Sequence, residues 1–586
     1  MSVRVLRLTV VFVSVALSGC VSAPRSQTTS TEPPAPELPS GYQEKKLAVA
    51  SEYMVAAANP LAVEAGLDIL ARGGSATDAA IAVQLVLNLV EPQSSGIGGG
   101  AFLLHYDALR KITTGYDGRE SAPMAVTADL FIGADGQPLR FQQAVIGGRS
   151  VGVPGVLRAA EAAHSKHGKL PWANLFEPAI ALADSGFALS PRAHTLIAND
   201  IGLRHEPTSR SYFFQSDGTP KSVGTILKNP QFAEVLRRIA KEGPDAFYTG
   251  TLAKEMVAAV RGHATNPGLL DERDLANYRA RTVAPLCARY RSYRICGLPM
   301  PSGNLTVLQI MLSLEHFDMK AVRPNSTEGV HLISEAGRLA YADRVRYLAD
   351  DRFTQVPVAG LIDPAYNYRR GTLIQPERTM GRAVAGEPAN ATLAMADDEA
   401  FEYPSTSHIS IVDKDGNAVS MTTSIESAFG SRIFVHGFLL NNTLTDFSAI
   451  ATDKGRPVAN AVQPGKRPRS AMSPTLVFDA DNRLHMIIGS PGGPAIINYV
   501  VKTLVATLDW GMDIQTAISL PNFGSRNGPT EIEKGTSIEN LIGPLKSIGH
   551  EVRINDLTSG LHGIMRTSTG WQGGADPRRE GIASGK

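Results

Sequence analysis

Residues 406–424 read TSHISIVDKDGNAVSMTTS, and this stretch decides how the rest of the chain is interpreted. Apolar and polar residues alternate over residues 406–412 and again over residues 418–424. Between them, residues 413–416 supply the Asp and Gly that favour a tight turn. The pattern predicts an antiparallel hairpin whose first strand opens at Thr406.

Thr406 follows a polar loop that ends in Tyr403-Pro404-Ser405. A threonine hydroxyl is a weak nucleophile at neutral pH unless a base accepts its proton. If the chain is cut just before Thr406, the new α-amine has a pKa of about 8 and lies within the same residue as the hydroxyl. Nucleophile and base could therefore come from one residue, although a threonine that opens a strand is structural in most proteins.

Two other motifs suggest chemistry, and we reject the function that each one suggests. Residues 96–101 (GIGGGA) match a dinucleotide fingerprint, which requires a strand before it and a helix after it. Here a helix precedes and a strand pair follows, so we predict a glycine-rich close approach of the backbone to a ligand or to another strand. Residues 148–152 (GRSVG) match G-x-S-x-G, but Val153-Pro154-Gly155 stands where the helix of a nucleophile elbow must start, so we predict a turn.

Composition and length limit the possible architectures. The 586 residues carry 57 Lys and Arg against 56 Asp and Glu, a net charge of +1, and 43% of them are hydrophobic. This hydrophobic fraction excludes a mainly disordered chain, and the balanced charge argues against a nucleic-acid partner. Periodicity predicts helices at 60–72 and 75–90, then a late hairpin at 474–490 followed by an apolar helix. Helices with late strand pairs predict helical layers that cover a sandwich of sheets.

The first twenty residues, MSVRVLRLTVVFVSVALSGC, have the pattern of an export signal. The apolar run is too short for a standard membrane span, and it ends in Leu17-Ser18-Gly19-Cys20, which resembles a bacterial lipobox. We expect a signal peptide at 1–19, a lipid anchor on Cys20 and a Pro/Ser/Thr-rich tether up to residue 46. Because Val21 follows the cysteine, resemblance to such lipoproteins favours a periplasm-facing protein of the outer membrane. A plain signal peptide with a stray cysteine is the alternative.

The other two cysteines, Cys287 and Cys296, flank ARYRSYRI, which predicts two short strands about a turn. An oxidising periplasm favours a disulfide across this hairpin, and two buried free thiols are the alternative. The sequence has no CxxC, no HExxH and no clustered Cys/His pattern. We therefore expect no metal and no organic cofactor.

Several more stretches follow one another in a distinctive order. They are GGSATDAAIA, GIGGGAFLL, YDGRES, SVGVPG, the 406–424 hairpin, FLLNNTLTDFS, KRPRSAMSPT, GSPGG and GGADPRREG. With these motifs the chain resembles the γ-glutamyltransferase family (glutathione hydrolases) of N-terminal-nucleophile hydrolases, from about Ala48 to the C-terminal region. The resemblance implies an α+β fold, a four-layer αββα sandwich, made of a large and a small subunit from one precursor.

The resemblance also implies that the precursor cleaves itself between Ser405 and Thr406. The products would be a large subunit with globular residues 47–405 and a small subunit of residues 406–586, which stay together as a heterodimer. Thr406 would be the catalytic nucleophile, supported by the hydroxyl of Ser424. Gly492 and Gly493 match the glycine pair of the oxyanion hole, where backbone N–H groups and a helix start favour a negative oxygen.

A pocket for a glutamyl head group is implied as well. Arg119 matches the arginine that binds the donor α-carboxylate, a bidentate task suited to guanidinium; a surface ion pair with Glu120 is the alternative. Asp446 matches the carboxylate that binds the α-ammonium, and as an isolated residue it could be a helix cap. Ser470 matches one of two adjacent serines that contact the α-carboxylate.

Three positions depart from the family pattern. Glu426 stands where many members have Asn, and Thr443 stands where they have Gln or Glu, so we interpret the acid as moved within the ammonium pocket. Ala471 replaces the second serine and removes one hydrogen bond, worth about 1.5–3 kcal/mol. The segment between Asp446 and Ser470 is short and has no tyrosine, so we expect an open pocket.

Three functions compete. The leading hypothesis is a γ-glutamyl hydrolase/transferase that acts on glutathione and related donors, with water, amino acids or dipeptides as acceptors. The second is an acylase for glutaryl or cephalosporin-type amides, which the acid-rich pocket disfavours and Ala471 favours. The third is an inactive, surface-anchored binding protein, against which the retained Thr406 and glycine pair argue.

Overall fold

The computed structural model describes residues 39–391, 395–398, 400, 403 and 405–586. The predicted signal peptide, the lipidated Cys20 and the tether up to residue 38 lie outside the described residues. Ser405 and Thr406 are consecutive residues of one chain, so the structure is that of the uncleaved protein.

The described elements divide unevenly about Thr406. The strands before it are β1 (Ala48–Ala50), β2 (Met54–Ala57), β3 (Gly100–Asp107), β4 (Ile112–Gly118), β5 (Phe187–Ala188), β6 (Ile226–Leu227), β7 (Arg281–Val283), β8 (Leu286–Tyr290) and β9 (Tyr293–Gly297). The strands after it are β10 (Ser407–Val412), β11 (Ala418–Ser424), β12 (Phe434–Val435), β13 (Phe438–Leu439), β14 (Thr452–Asp453), β15 (Arg456–Pro457), β16 (Thr475–Phe478), β17 (Leu484–Gly489), β18 (Phe523–Ser525), β19 (Thr530–Glu533), β20 (Val552–Asn555), β21 (His562–Arg566), β22 (Trp571–Ala575) and β23 (Ile582–Gly585).

Most of the described helices precede Thr406. They are α1 (Pro60–Ala71), α2 (Ala76–Val90), α3 (Phe141–Val145), α4 (Val156–His167), α5 (Glu177–Ser185), α6 (Pro191–Asn199), α7 (Ile201–His205), α8 (Pro207–Phe213), α9 (Pro230–Glu242), α10 (Asp245–Tyr248), α11 (Gly250–Arg261), α12 (Glu272–Asn277), α13 (Asn304–Leu314), α14 (Thr327–Tyr347), α15 (Val358–Leu361) and α16 (Pro364–Gly371). Those that follow are α17 (Ile496–Leu508), α18 (Ile514–Ser519) and α19 (Ile542–Ser547).

Two seven-stranded antiparallel sheets form the centre of the molecule. The first sheet has the order β23-β2-β10-β11-β3-β4-β7, and the second has the order β1-β22-β21-β17-β16-β9-β8. The hairpin predicted at 406–424 is β10–β11, and its register pairs Ser407 with Thr423 and Val412 with Ala418. Each sheet contains strands from before and after Thr406, so the two parts of the chain form one folding unit.

Period-two alternation gives each sheet two apolar faces. In β3, Leu103 packs into a core with α1, α2, α4, α5 and α9. Its neighbours Phe102 and Leu104 face the opposite way, into a core shared with the second sheet and with α13, α14 and α17. Because successive strand residues point to opposite faces, the central strands β2, β10, β11 and β3 contribute side chains to both cores. The layers are helix, sheet, sheet and helix, which confirms the predicted αββα sandwich.

Several smaller predictions can be compared with the structure. Ser150 ends the 3₁₀ turn Gly148–Ser150, and its buried hydroxyl donates to the Val145 carbonyl at 2.7 Å, so the G-x-S-x-G string is a turn as predicted. Cys287 and Cys296 face each other across β8–β9 and form a disulfide. Within the described part of the chain, no helix combines the length and apolar character needed to cross a bilayer.

The end of the predicted tether lies on the folded body. The backbone N–H of Ser40 donates to the Arg578 carbonyl at 3.2 Å, and that of Gln43 donates to the Pro577 carbonyl at 2.8 Å. These two bonds fix the described residues just before β1 against the C-terminal segment.

Candidate active site

Thr406 is buried at the start of the β10–β11 hairpin, immediately before β10. Its hydroxyl donates to the Ser424 hydroxyl oxygen at 3.1 Å, which in turn accepts the Glu426 N–H at 2.8 Å. The register explains this contact, because Ser424 is the residue after the last hydrogen-bonded partner, Thr423. The structure therefore brings the predicted nucleophile and its predicted supporting hydroxyl together.

The backbone at Thr406 is strained. Its φ is +138°, in the region that favours glycine and disfavours a β-branched residue. A conformation of this kind costs about 1–3 kcal/mol and persists only where the surroundings enforce it. Arg579, which the sequence reasoning did not single out, is buried and donates to the Thr406 carbonyl at 3.4 Å. The strain lies at the residue whose N-terminal peptide bond is the predicted cleavage site.

Arg119 lies at the centre of a buried charged cluster. Its guanidinium is ion-paired with Asp446, lies 3.4 Å from a Glu120 carboxylate oxygen, and donates to the Arg469 carbonyl at 3.2 Å. The alternative that we considered was a surface ion pair between Arg119 and Glu120. The two residues do pair, but both are buried, so the predicted surface location is wrong. The two residues predicted for opposite ends of a zwitterion are thus in direct contact in the uncleaved chain.

Glu426 joins this cluster from the nucleophile side. One carboxylate oxygen accepts the Asn442 amide, and the other accepts the Tyr403 N–H at 3.0 Å. Burial raises the pKa of Glu426 to about 7, although these bonds, a hydrogen bond with Asp446 and the charge of Arg119 act in the opposite direction. Because two carboxylates in contact repel each other, Glu426 and Asp446 favour a state in which they share one proton. A bound cation can replace that proton.

Thr443 contacts Glu120, and not Glu426, which is the acid that the sequence predicted for the ammonium pocket. Its hydroxyl donates to Glu120 at 2.7 Å, and burial raises the pKa of this carboxyl while Arg119 opposes the shift. Thr443 therefore supports Arg119 through Glu120, a residue that the sequence reasoning treated only as an alternative partner. Adjacency to Arg119 was the available signal for Glu120.

The neighbouring asparagines have distinct tasks. Asn441 binds backbone groups only, including the Gly98 carbonyl at 2.8 Å and the Gly152 N–H at 2.9 Å, so it joins loops. Asn442 binds Glu426 and also accepts the Ser427 N–H at 3.0 Å, so it orients a carboxylate of the cluster.

Ser470 and Ala471 follow directly on the backbone that Arg119 contacts. The Ser470 hydroxyl oxygen accepts the Met472 N–H at 3.1 Å, and its own N–H donates to the Pro301 carbonyl at 2.9 Å. Ala471 is buried and contributes no side-chain hydrogen bond. The structure thus places one serine hydroxyl, and a methyl group beside it, next to the guanidinium site.

The glycine pair has the backbone that its sequence predicts. Gly492 and Gly493 have φ values of +129° and +55°, and they lead through the 3₁₀ turn Gly493–Ala495 into α17. A Cβ on Gly492 would lie 2.5 Å from the Tyr499 ring, so this position requires glycine. Amide groups here precede a helix start, where partial positive charge accumulates.

The segment between Asp446 and Ser470 is bonded both to the body, where the Ala122 N–H donates to the Lys466 carbonyl at 2.8 Å, and to itself. The buried Lys466 ammonium donates to the carbonyls of Ala459 and Ala461 at 2.7 and 2.9 Å, and burial lowers its pKa to about 8. The expectation of an open pocket stays a prediction.

One group among the described residues has ligand-like spacing for a metal: His331, Glu335 and His550. The two imidazoles hydrogen-bond each other at 2.7 Å, and Glu335 accepts from Arg338 at 2.8 Å and from the Met380 N–H at 2.7 Å. These side chains already form a hydrogen-bonded network on α14 and after α19, and we assign no metal to them.

Comparisons with known proteins identify the family. The Gamma-glutamyltranspeptidase family model matches residues 62–586. The chain belongs to this family. The Glutathione hydrolase proenzyme of Bacillus subtilis (strain 168) is 36% identical to this chain over 563 residues, 93% of this chain and 94% of that protein. The Acylase ACY 1 proenzyme of Pseudomonas sp. (strain SE83) is 33% identical over 552 residues, 92% of this chain and 95% of that protein.

The solved structures agree on the fold. The crystal structure of cephalosporin acylase from Bacillus halodurans superposes on this structure with a TM-score of 0.81 at 27% identity, covering 93% of this chain and 97% of that one. Family and fold together confirm the predicted enzyme class.

Proposed function

We propose that this protein is a self-processing γ-glutamyl hydrolase and transferase that acts on glutathione and related γ-glutamyl compounds. The observation that carries the proposal is the buried cluster of Arg119, Asp446 and Glu426, which the Ser424 hydroxyl connects to Thr406. A glutamyl head has one carboxylate and one ammonium. On binding, it replaces the contact between Arg119 and Asp446 with two ion pairs of its own.

Self-cleavage comes first. The Thr406 hydroxyl oxygen attacks the Ser405 carbonyl carbon, the peptide bond between the two residues breaks, and the Thr406 nitrogen gains the proton that the hydroxyl loses. Water then opens the resulting ester, leaving a carboxylate on Ser405 and restoring the Thr406 hydroxyl. The large subunit of residues 47–405 and the small subunit of residues 406–586 share both central sheets, which supports their staying together.

Donor turnover repeats this chemistry on a γ-glutamyl amide. The free Thr406 α-amine accepts the hydroxyl proton as the oxygen attacks the γ-carbonyl carbon, and the amine side of the donor leaves with a proton. Water or the amine of an amino acid or dipeptide then takes the glutamyl group. The N–H groups at Gly492 and Gly493 stabilise the negative oxygen in each step.

The head group is held at its other end. Arg119 binds the α-carboxylate with help from Ser470, and the departure at Ala471 leaves one fewer hydroxyl for it. Asp446 and Glu426 bind the α-ammonium, while Thr443 fixes Arg119 through Glu120. In the uncleaved chain the Tyr403 N–H donates a hydrogen bond to the Glu426 carboxylate, and Tyr403 is on the acyl side of the peptide bond that is cut first. The carboxylate thus accepts an N–H from the acyl side in the precursor. This supports a γ-glutamyl substrate whose ammonium supplies an N–H at the same place.

A second candidate, an acylase for cephalosporin-type or glutaryl amides, is favoured by the similarity to the Bacillus halodurans cephalosporin acylase and by Ala471. Glutaryl donors have no ammonium for Asp446 and Glu426. They would therefore leave two buried carboxyl groups without a cation.

The test is to identify the acyl-enzyme. The mature protein is mixed with a γ-glutamyl amide, quenched with acid within the first turnover, and digested for mass spectrometry. We expect one glutamyl group on the peptide that begins at Thr406. A glutamyl group on another residue, or turnover without any acylated peptide under conditions that trap a known acyl-enzyme, would contradict the assignment.

We further propose that the protein is a periplasm-facing lipoprotein, anchored in the outer membrane through Cys20. The support is the lipobox-like Leu17-Ser18-Gly19-Cys20 and the Pro/Ser/Thr-rich stretch after it. Cys20→Ser should move the enzyme from the membrane fraction to the soluble periplasmic fraction with its turnover unchanged, whereas Cys287→Ser should leave it in the membrane. Membrane retention of the Cys20 variant would disprove the lipid anchor.

A further inference from the structure

Thr406 lies between two buried serines that are both bonded to one short segment. The Ser405 hydroxyl donates to the Gln93 carbonyl at 2.8 Å, and the Ser95 hydroxyl donates to the Ser407 hydroxyl oxygen at 3.1 Å. All four of these residues are at most 1% exposed. The chain on either side of the predicted cleavage point is thus held by residues 93 and 95.

This segment, residues 91–95, is itself firmly built. It leaves the end of α2 and folds back on Glu91, whose carboxylate accepts the Gln93 amide at 2.8 Å and the Ser94 hydroxyl at 3.2 Å. The Ser94 carbonyl accepts the Ile425 N–H at 3.2 Å. The same segment therefore holds the residue that follows Ser424, the hydroxyl partner of Thr406.

We propose that residues 91–95 are a clamp that positions the bond between Ser405 and Thr406 for self-cleavage. The inference rests on the proposed function, in which Thr406 attacks the Ser405 carbonyl. Bonds at residues 405 and 407 hold Thr406 at its strained φ of +138°, while the bond at Ile425 fixes the strand end that carries Ser424. Holding the hydroxyl oxygen and the carbonyl carbon in one geometry removes the search that an unclamped loop would need.

The side-chain hydroxyls of Ser405 and Ser95 are positioning groups in this account. They form and break no bond during cleavage, which uses the Ser405 carbonyl and the Thr406 hydroxyl. Their role ends once the two residues separate, so the clamp is specific to maturation.

The experiment follows the loss of uncleaved chain after pulse synthesis of the full-length protein, on denaturing gels. Loss of a single neutral hydrogen bond should slow cleavage by about five- to tenfold, in Ser95→Ala and in Ser405→Ala alike. Ser405→Thr keeps the hydroxyl and should cleave much faster than Ser405→Val, which has the same shape without it. Equal rates for Thr and Val would show that the hydroxyl has no positioning role.

Separate controls distinguish an effect on folding from an effect on cleavage. The same substitutions in a Thr406→Ala background report the thermal midpoint of the uncleaved fold, and a variant that keeps this midpoint but cleaves slowly supports the clamp. If Ser405→Ala lowers the midpoint, Ser95→Ala decides. Wild-type cleavage rates in both alanine variants would overturn the clamp and leave the proposed function intact. A wild-type chain that never cleaves before Thr406 would overturn the proposed function instead.

Discussion

The two ends of the candidate site are built in different ways. The nucleophile end, Thr406 and Ser424, comes from one hairpin, and its contact follows from the β10–β11 register. The head-group end joins Arg119 to Asp446, residues 327 apart in sequence, in a buried ion pair. The Thr406 and Ser424 side chains carry no formal charge and have one buried cation, Arg579, at the Thr406 carbonyl. The head-group end concentrates one arginine and three carboxyl groups away from water.

From this difference we expect the nucleophile end to carry out acyl transfer and the head-group end to select the donor. A neutral hydroxyl pair can act on many acyl groups, so the hairpin determines that acyl transfer occurs. Breaking a buried ion pair is costly unless its partners are replaced, so we expect the charged end to select a donor that brings both charges. Substitutions at the nucleophile end should therefore abolish turnover, whereas substitutions at the head-group end should reduce the discrimination between donors.

The largest effect is expected at the nucleophile. Thr406→Ala should abolish self-cleavage and lower turnover of any donor by on the order of 10³-fold or more, because no other group forms the acyl-enzyme. Thr406→Ser keeps a hydroxyl and should still cleave. Gel analysis and release of a chromophoric amine measure both. A cleaved, active Thr406→Ala protein would remove the basis of the comparison.

At the head-group end, Asp446→Asn should act on one class of donor. Losing a charged partner for the α-ammonium should lower kcat/KM for a γ-glutamyl amide by about 10- to 100-fold. The value for a glutaryl amide should change far less. Asp453→Asn, in the exposed β14 strand, is the matched control. Equal losses for both donors would mean that Asp446 maintains the fold and does not select the donor.

The pH dependence sharpens the same distinction. Burial raises the pKa of Glu426 to about 7, and the ammonium binds the ionised carboxylate. Glutamyl affinity should therefore be complete above pH 7 and weaken by up to about tenfold for each pH unit below it. Glu426→Gln should bind the donor more weakly at high pH and lose this acidic limb. A KM profile that is unchanged by the substitution would exclude Glu426 from ammonium binding.

A smaller effect is expected one contact further out. Thr443→Val removes the hydroxyl that donates to Glu120 at 2.7 Å, so Arg119 is less firmly placed. KM for the glutamyl donor should rise by about three- to tenfold with kcat largely kept. Thr452→Val on the exposed β14 strand provides the control. A fall in kcat with unchanged KM would place Thr443 in the chemical step.

The smallest effect on turnover is expected at the disulfide. Cys287→Ser opens a nine-residue loop at the edge of the second sheet, whereas the Thr406 hairpin belongs to the first sheet. The free energy of unfolding should fall by at most about 3 kcal/mol, with turnover unchanged. Thermal unfolding with and without reductant measures this. A loss of turnover as large as that of Thr443→Val would show that the two regions are coupled.

The sequence itself predicts the nucleophile end of the site better than the head-group end. The hairpin, α1 and α2 follow from local periodicity and were predicted from it, whereas the role of Ser424 beside Thr406 came from the family resemblance and agrees with the β10–β11 register. The positions at the head-group end came from family resemblance, and the structure brings Arg119, Glu426 and Asp446 together. Contacts that join distant segments left no periodic signal.

Two of these contacts were missed for that reason. Tyr403 on Glu426 and Arg579 at the Thr406 carbonyl depend on how separate loops meet in the folded chain. Glu120 was named as a partner of Arg119 because the two are adjacent, but its burial and its bond to Thr443 were not predicted. The clamp at residues 91–95 is a further case, since serines and a glutamine in a loop carry no pattern.

The most direct test of the central claim compares two donors that differ only in the α-ammonium. The mature enzyme is given a γ-glutamyl amide and the corresponding glutaryl amide with the same chromophoric amine, and kcat/KM is measured for each. We predict that the glutamyl donor is favoured by about 10²-fold and that both activities vanish in Thr406→Ala. Glutaryl turnover as fast or faster would contradict the account, because it would mean that the buried carboxyl groups do not select the donor.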